Sequence, residues 1–387
     1  MRAVALALLL GAWSAPAQLP ASGVLSEADR PLFSAEIARI EQRLQAVTDK
    51  HTLTYEMART WATAKQWPEA IDWLRKSAEL KSGFDPSRDR VFADLRGSPE
   101  FEELLSAMRQ ATPAVSHSHP AFYVSEGDLV PESVAWDSKG KYFYFGSMKK
   151  GKVVRCRVSG DCTQFAAGLD VVLGLKVHGN RLWLLNNSDR ESSLVQYDLG
   201  TARIRQAYKV TGAGHNFNDL AIAPDGEIYL TDTAAGAIWH LAKGSAELAR
   251  LPGQFPFANG IAMSPDSRLL YVSTFPDGLH VVDLQTGFSS TIAHPADLCL
   301  AAIDGLYFHR DTLIAIQNAF MSPRVISLHL TRDLHAIDRF RVLEHRNPLF
   351  EGITTGVIAG SDFFYMANIQ DDKLAGFTPL TILKLGL

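Results

Sequence analysis

The chain has 387 residues, 47% of them hydrophobic and 21% charged, the balance of a soluble globular protein too long for one small core. Its 38 basic and 42 acidic residues leave a net charge of −4 with no long basic run, which excludes the electrostatic footprint of a nucleic-acid binder. No segment reaches the roughly 20 consecutive apolar residues of a membrane span.

Residues 1–17 read as a secretory signal peptide: Arg2 gives the positive start, Ala3 to Leu10 the apolar stretch, and Ala15-Pro16-Ala17 the small residues before cleavage. The expected location is periplasmic or secreted. Residues 23–114 then read as helical. Ser26 is a candidate N-cap for a helix through Ala46, followed by helices over Thr52 to Lys65 and Pro68 to Lys81 joined by Gln66-Trp67. Ala58, Trp61, Ala70 and Leu74 on the last two helices resemble the small and large packing positions of a tetratricopeptide repeat. A segment of this kind either docks a protein partner or caps the domain that follows. A single repeat offers little concave surface, which favours the cap. Residues 115–121, with Ser116-His117-Ser118-His119-Pro120, read as linker.

From Phe122 to the C-terminus (residues 122–387) short strands alternate with Gly, Asp, Asn and Pro turns. One theme recurs: a small polar or acidic residue, an apolar strand, a turn, then an aromatic-rich strand. It starts at Glu132, Gly174, Asn218, Asn259, Asp304 and around Ile353-Thr354. Starts roughly 40–50 residues apart match the period of a four-stranded blade. The expected fold is therefore mainly β, a six-bladed β-propeller preceded by a small α-helical, tetratricopeptide-like domain. Either the strand near Phe122 to Val124 or the C-terminal Leu380 to Lys384 is expected to complete the last blade. Cys156 and Cys162 flank a five-residue turn on a hairpin, where opposed positions bring two sulfurs within disulfide range, free thiols being the alternative. Cys299 reads as a buried small hydrophobe.

In a propeller the starts of the inner strands meet at one end of the pore. Glu132, Asn218, Asn259 and Asp304 would converge there as an all-oxygen set, without thiolate or imidazole, which suits one Ca²⁺ ion. Two carboxylates facing each other across a partly desolvated pore also call for a positive charge between them.

The motifs Pro131-Glu132-Ser133-Val134-Ala135-Trp136-Asp137, Phe217-Asn218-Asp219, Phe257-Ala258-Asn259-Gly260 and Ile303-Asp304-Gly305-Leu306 resemble the regucalcin/gluconolactonase (senescence-marker-protein-like) family, and more distantly paraoxonase and diisopropyl fluorophosphatase. The resemblance implies a six-bladed propeller with Ca²⁺ on Glu132, Asn218, Asn259 and Asp304, and hydrolysis of lactones or related esters and phosphoesters. Asp304 is the candidate to position or deprotonate water, with Glu132 second. Asn218, Asn216 and His215 are the candidate substrate-binding residues. Where sugar-lactone members resemble Arg-x-Asn-Asp, this chain has Asn216, and the His pair associated with paraoxonase-like activity has no counterpart. The substrate expected is a small lactone or ester. The competing expectation is a non-catalytic Ca²⁺-stabilised propeller whose helical segment docks a partner.

Overall fold

The computed structural model describes residues 19–387 apart from 48, 128, 276, 319–321, 369 and 371–378, so the expected signal peptide lies outside the described residues. Four helices come first: α1 Asp29–Ala46, α2 His51–Thr63, α3 Trp67–Glu79 and α4 Pro99–Ala111, with a 3₁₀ turn at Arg90–Leu95. The first helix begins at Asp29 with Ala28, not Ser26, at its N-cap; the Ser26 hydroxyl accepts from the Asp29 N–H at 3.1 Å just ahead of it. Pro68 and Pro99 each sit in a first turn, where the missing N–H is not needed. Tyr55 and Ala58 of α2, Ile71 and Leu74 of α3, and Phe101 and Leu105 of α4 form one apolar core with Phe92. That core also contains Cys299 and Ala301 from the far end of the chain, so the helical domain and a propeller loop share it.

The rest is a mainly β, six-bladed propeller, as the repeated motif predicts. Six four-stranded antiparallel sheets follow one another as blade 1 (residues 134–167), blade 2 (171–211), blade 3 (217–250), blade 4 (261–291), blade 5 (303–345) and blade 6 (356–386). Blade 6 takes its outermost strand, His119–Val124, from the other end of the chain, where it pairs with Leu380–Gly386. The sequence offered these two strands as alternatives; the sheet uses both. The inner strands touch in a closed cycle from blade 1 round to blade 6 and back.

Side-chain alternation builds the ring. In Tyr142–Gly146, Phe143 and Phe145 enter the cluster shared with blade 6, while Tyr144 enters the one shared with blade 2. Every interface between consecutive blades has such a cluster, and both faces of each sheet are thereby covered. Cys156 and Cys162 stand opposite each other in the blade 1 register and are joined as a disulfide.

The chain between the two domains is tied down. The Glu344 carboxylate, fully buried, accepts from the N–H groups of His117 and Ser118 at 2.7 and 2.6 Å and from the Asn347 amide at 2.8 Å. Val115 bridges His345, and the first strand begins at His119. Among the described residues no helix is long and apolar enough to cross a membrane.

Candidate metal centre

Glu132 and Asn259 stand just before their inner strands, and Asn218 and Asp304 are the second residues of theirs. In three of the inner strands the ladder slips near the start, between Val172 and Leu175, between Phe217 and Leu220, and between Ile303 and Gly305. A bulge re-aims the residues it contains; here these are Leu173, Gly174, Asn218, Asp219 and Asp304.

At least one hydrogen bond pins each junction between blades at this level. The Ser133 hydroxyl donates to the Leu173 carbonyl at 2.6 Å, the Asn187 amide to Phe217 at 2.9 Å, Thr231 to Asn259 at 2.7 Å, Ser273 to Ile303 at 2.7 Å and Thr355 to Glu132 at 2.7 Å. At the blade 5–6 junction the Gly356 N–H donates to the Tyr307 hydroxyl at 2.7 Å. Two glycines allow the backbones to close up: a Cβ on Gly174 would stand 2.7 Å from the Asn218 carbonyl oxygen, and one on Gly260 2.6 Å from that of Asp304. Gly174, the apparent gap in the ligand pattern, thus serves the neighbouring Asn218-Asp219 segment.

The charges within this frame are unbalanced. Asp219, buried, has the Lys176 ammonium 3.5 Å away, and that ammonium also lies 5.0 Å above the Tyr307 ring. Glu132 and Asp304 have no cationic partner among the described residues. Burial pushes the Glu132 carboxyl well above the ordinary carboxylate range, and the charges of Asp304 and Asp219 push it further. Burial also raises Asp304, against the amides of Asn259 and Asn318, which favour its charged form. The Asn318 amide donates to Asp304 Oδ2 at 2.6 Å. The Asn259 side-chain oxygen is buried without a hydrogen-bond partner among the described residues. An orphaned amide oxygen is costly unless something electropositive meets it.

Two carboxylates short of a cation and a buried oxygen short of a donor fit a hard ion bound by oxygen. No three His, Cys, Asp or Glu among the described residues gather closely enough to hold an ion by themselves, so the set depends on its amides. Of the residues read from the sequence, Glu132, Asn259 and Asp304 act on one another here. Asn218 lies on the blade 3 bulge, half-buried, its side chain without a protein partner among the described residues.

His215 sits over blade 3. Its Nδ1 is 2.6 Å from the fully buried Asp232 carboxylate, which also accepts from the Asn216 N–H at 2.9 Å, the Ala235 N–H at 3.1 Å and Trp239 Nε1 at 3.1 Å. The ring is thereby fixed in orientation and partly exposed. The Asn216 side chain has no protein partner among the described residues. Sequence reasoning missed Asp219, Asn318 and Asp232. Asp219 stands in the very Asn-Asp pair that marked Asn218, and Asp232 closes the repeated Tyr229-Leu230-Thr231-Asp232 strand.

The comparisons agree with this architecture. Residues 130–297 match the family model of the SMP-30/Gluconolactonase/LRE-like region. No curated protein matches the chain in sequence. Among solved structures, the major Malassezia sympodialis allergen Mala s 1 is similar at 17% identity and TM-score 0.55, over 70% of this chain and 96% of that one. A luciferin-regenerating enzyme is similar at 14% identity and TM-score 0.51, over 68% of this chain and 93% of its own. The PQQ-bound aldose sugar dehydrogenase of Streptomyces coelicolor is similar at 15% and 0.51, over 71% and 99%. Proteins so different in name share only the fold with this chain, and function must be argued from the site. The family match covers the first blades and the Glu132, Asn218 and Asn259 motifs, so residues 130–297 of the six-bladed propeller are similar to the SMP-30/Gluconolactonase/LRE-like region.

Proposed function

We propose that the pore is the active site of an exported, Ca²⁺-dependent hydrolase that opens lactones or cleaves related esters. The observation that carries this reading is the pairing of Glu132 and Asp304, without a cationic partner among the described residues, beside the orphaned Asn259 oxygen. Glu132, Asn218, Asn259 and Asp304 would hold the ion. When bound, Ca²⁺ supplies positive charge that polarises a carbonyl and favours the developing oxyanion.

The chain's own groups account for the rest. Asp304, with one oxygen fixed by Asn318, takes a proton from the attacking water. The water oxygen bonds to the acyl carbon, the acyl C–O bond breaks, and the proton passes to the departing alkoxide. A lactone gives a hydroxy acid. Glu132 is the second candidate for the base. The unpartnered Asn216 amide and the His215 ring, oriented by Asp232, offer hydrogen bonds to the substrate. The Cys156–Cys162 bond supports export, because such bonds persist in oxidising compartments.

Calorimetric Ca²⁺ titration of the metal-stripped protein, paired with a hydrolysis screen over aliphatic and sugar lactones, tests the reading. Saturable binding with Ca²⁺-dependent turnover is expected. Binding without turnover would make the ion structural and the propeller a scaffold. Absence of binding would overturn the four-residue set.

A further inference from the structure

A cavity of about 220 Å³ lies between the helical domain and blade 5, away from the pore residues. Its walls include Pro113, Val115, Phe340 and Val342, with Arg324 and His345 as the buried polar groups. Lys81 and Asp297 also line it, and both are exposed, which places them at its rim.

Arg324 is the anomaly. Its side chain belongs to a residue only 6% exposed, yet it has no ion pair among the described residues. Nε donates to Gln317 Oε1 at 2.7 Å and Nη2 to the Cys299 carbonyl at 3.0 Å, both neutral acceptors. Burial lowers its pKa, with Asp49 the carboxylate that opposes this from a distance. His345 does not balance the charge: Nδ1 meets the Pro113 carbonyl at 3.1 Å and Nε2 the Ser322 hydroxyl at 2.8 Å, a pattern that the neutral ring satisfies. The Nη1 edge has no protein acceptor among the described residues. A Cβ on Gly83 would come within 3.2 Å of that nitrogen, so the glycine keeps the space beside it open.

A buried guanidinium left with one free edge in an apolar cavity is a receptor for a planar anion, since its fork matches a carboxylate. We propose that this cavity binds a small monocarboxylate with a short apolar tail, the carboxylate on Arg324 and the tail against Val115, Phe340 and Val342. At about 30 Å³ for each water-sized group the space takes roughly seven such groups, which suits a chain of about four carbons. The proposal stands on this cavity alone and does not require the metal reading of the pore.

The test is calorimetric and thermal-shift titration of the full chain, metal-free and in a carboxylate-free buffer, with butyrate, butyramide and inorganic phosphate. Saturable butyrate binding with a raised Tm is expected, together with weaker or absent binding of the neutral amide and of the tailless anion. Val342→Phe fills the cavity while keeping Arg324, and Arg324→Gln removes the charge. Each is expected to weaken butyrate binding by about tenfold or more. If Arg324→Gln fails to fold, Val342→Phe decides. No saturable butyrate binding to the folded protein, equal binding of butyramide, or undiminished binding by Val342→Phe would each overturn the proposal.

Discussion

Glu132 and Asp304 are held where their charged forms are disfavoured, and a group in that position makes stability depend on pH. A carboxyl whose pKa is higher in the folded than in the unfolded chain binds more protons when folded, so stability falls as pH rises through the interval between the two values. For Glu132 and Asp304 that interval opens at the ordinary values of 4.5 and 3.8 and extends upward. The metal-free protein is therefore expected to be less stable at about pH 8 than at about pH 5 as far as this pair is concerned. Glu132→Gln removes one charge from the half-buried, acidic pore. It should raise metal-free stability at the higher pH by roughly 1–2 kcal/mol while weakening Ca²⁺ binding, so the order of melting temperatures reverses when Ca²⁺ is added. Melting curves at both pH values, with and without Ca²⁺, would show the crossing. A variant less stable than the parent under all four conditions would mean that Glu132 is there for packing.

At the scale of elements, the proposed centre would depend on the junction bonds as much as on the residues that would hold the ion. The Thr231 hydroxyl donates to the Asn259 carbonyl and lies 3.0 Å from the Asp219 N–H, which donates to it, so one buried side chain joins two of the strands that converge on the pore. Thr231→Val keeps the shape and removes both bonds. It is expected to cost about 1–3 kcal/mol and to lower Ca²⁺ affinity although Thr231 is no ligand. Unchanged affinity in a destabilised variant would separate the junction from the site. Repetition explains what could be read beforehand. Six strand starts with one theme announced the blades, and equal register announced that Glu132, Asn259 and Asp304 would act on one another, because a closed ring turns equal register into proximity. The pairings across blades had no such signal. Lys176 neutralises Asp219 from a neighbouring blade, and Asp232 reaches His215 through a change of strand. The first depends on how the bulge turns Asp219 and the second on which strand ends are paired, neither of which periodicity gives. How the helices meet the propeller had no such signal either, since nothing in the sequence tied Tyr55 or Leu74 to a loop more than 200 residues away.

For the molecule as a whole, that shared core decides how many units unfold. Cys299 and Ala301 are buried among residues of the helical domain, and the same segment leads into Asp304. Gln317 holds it from the propeller side, its amide donating to the carbonyls of Cys299 at 3.1 Å and Ala301 at 2.6 Å. The helices thus cover part of the blade 5 approach to the pore, and their removal would uncover an apolar loop next to an acidic residue of the centre. A core common to both domains should make them melt together. Leu74, fully buried in the helical domain, provides the probe: Leu74→Ala is expected to cost about 2–5 kcal/mol. One calorimetric transition should appear in the parent and shift as a unit in the variant. Cys299, whose thiol is buried and pushed up to about 12, should be inert to thiol reagents in the parent and react faster in the variant. Two transitions, with Leu74→Ala moving only the lower one and Cys299 still inert, would make the helical domain an independent attachment whose core ends short of the propeller.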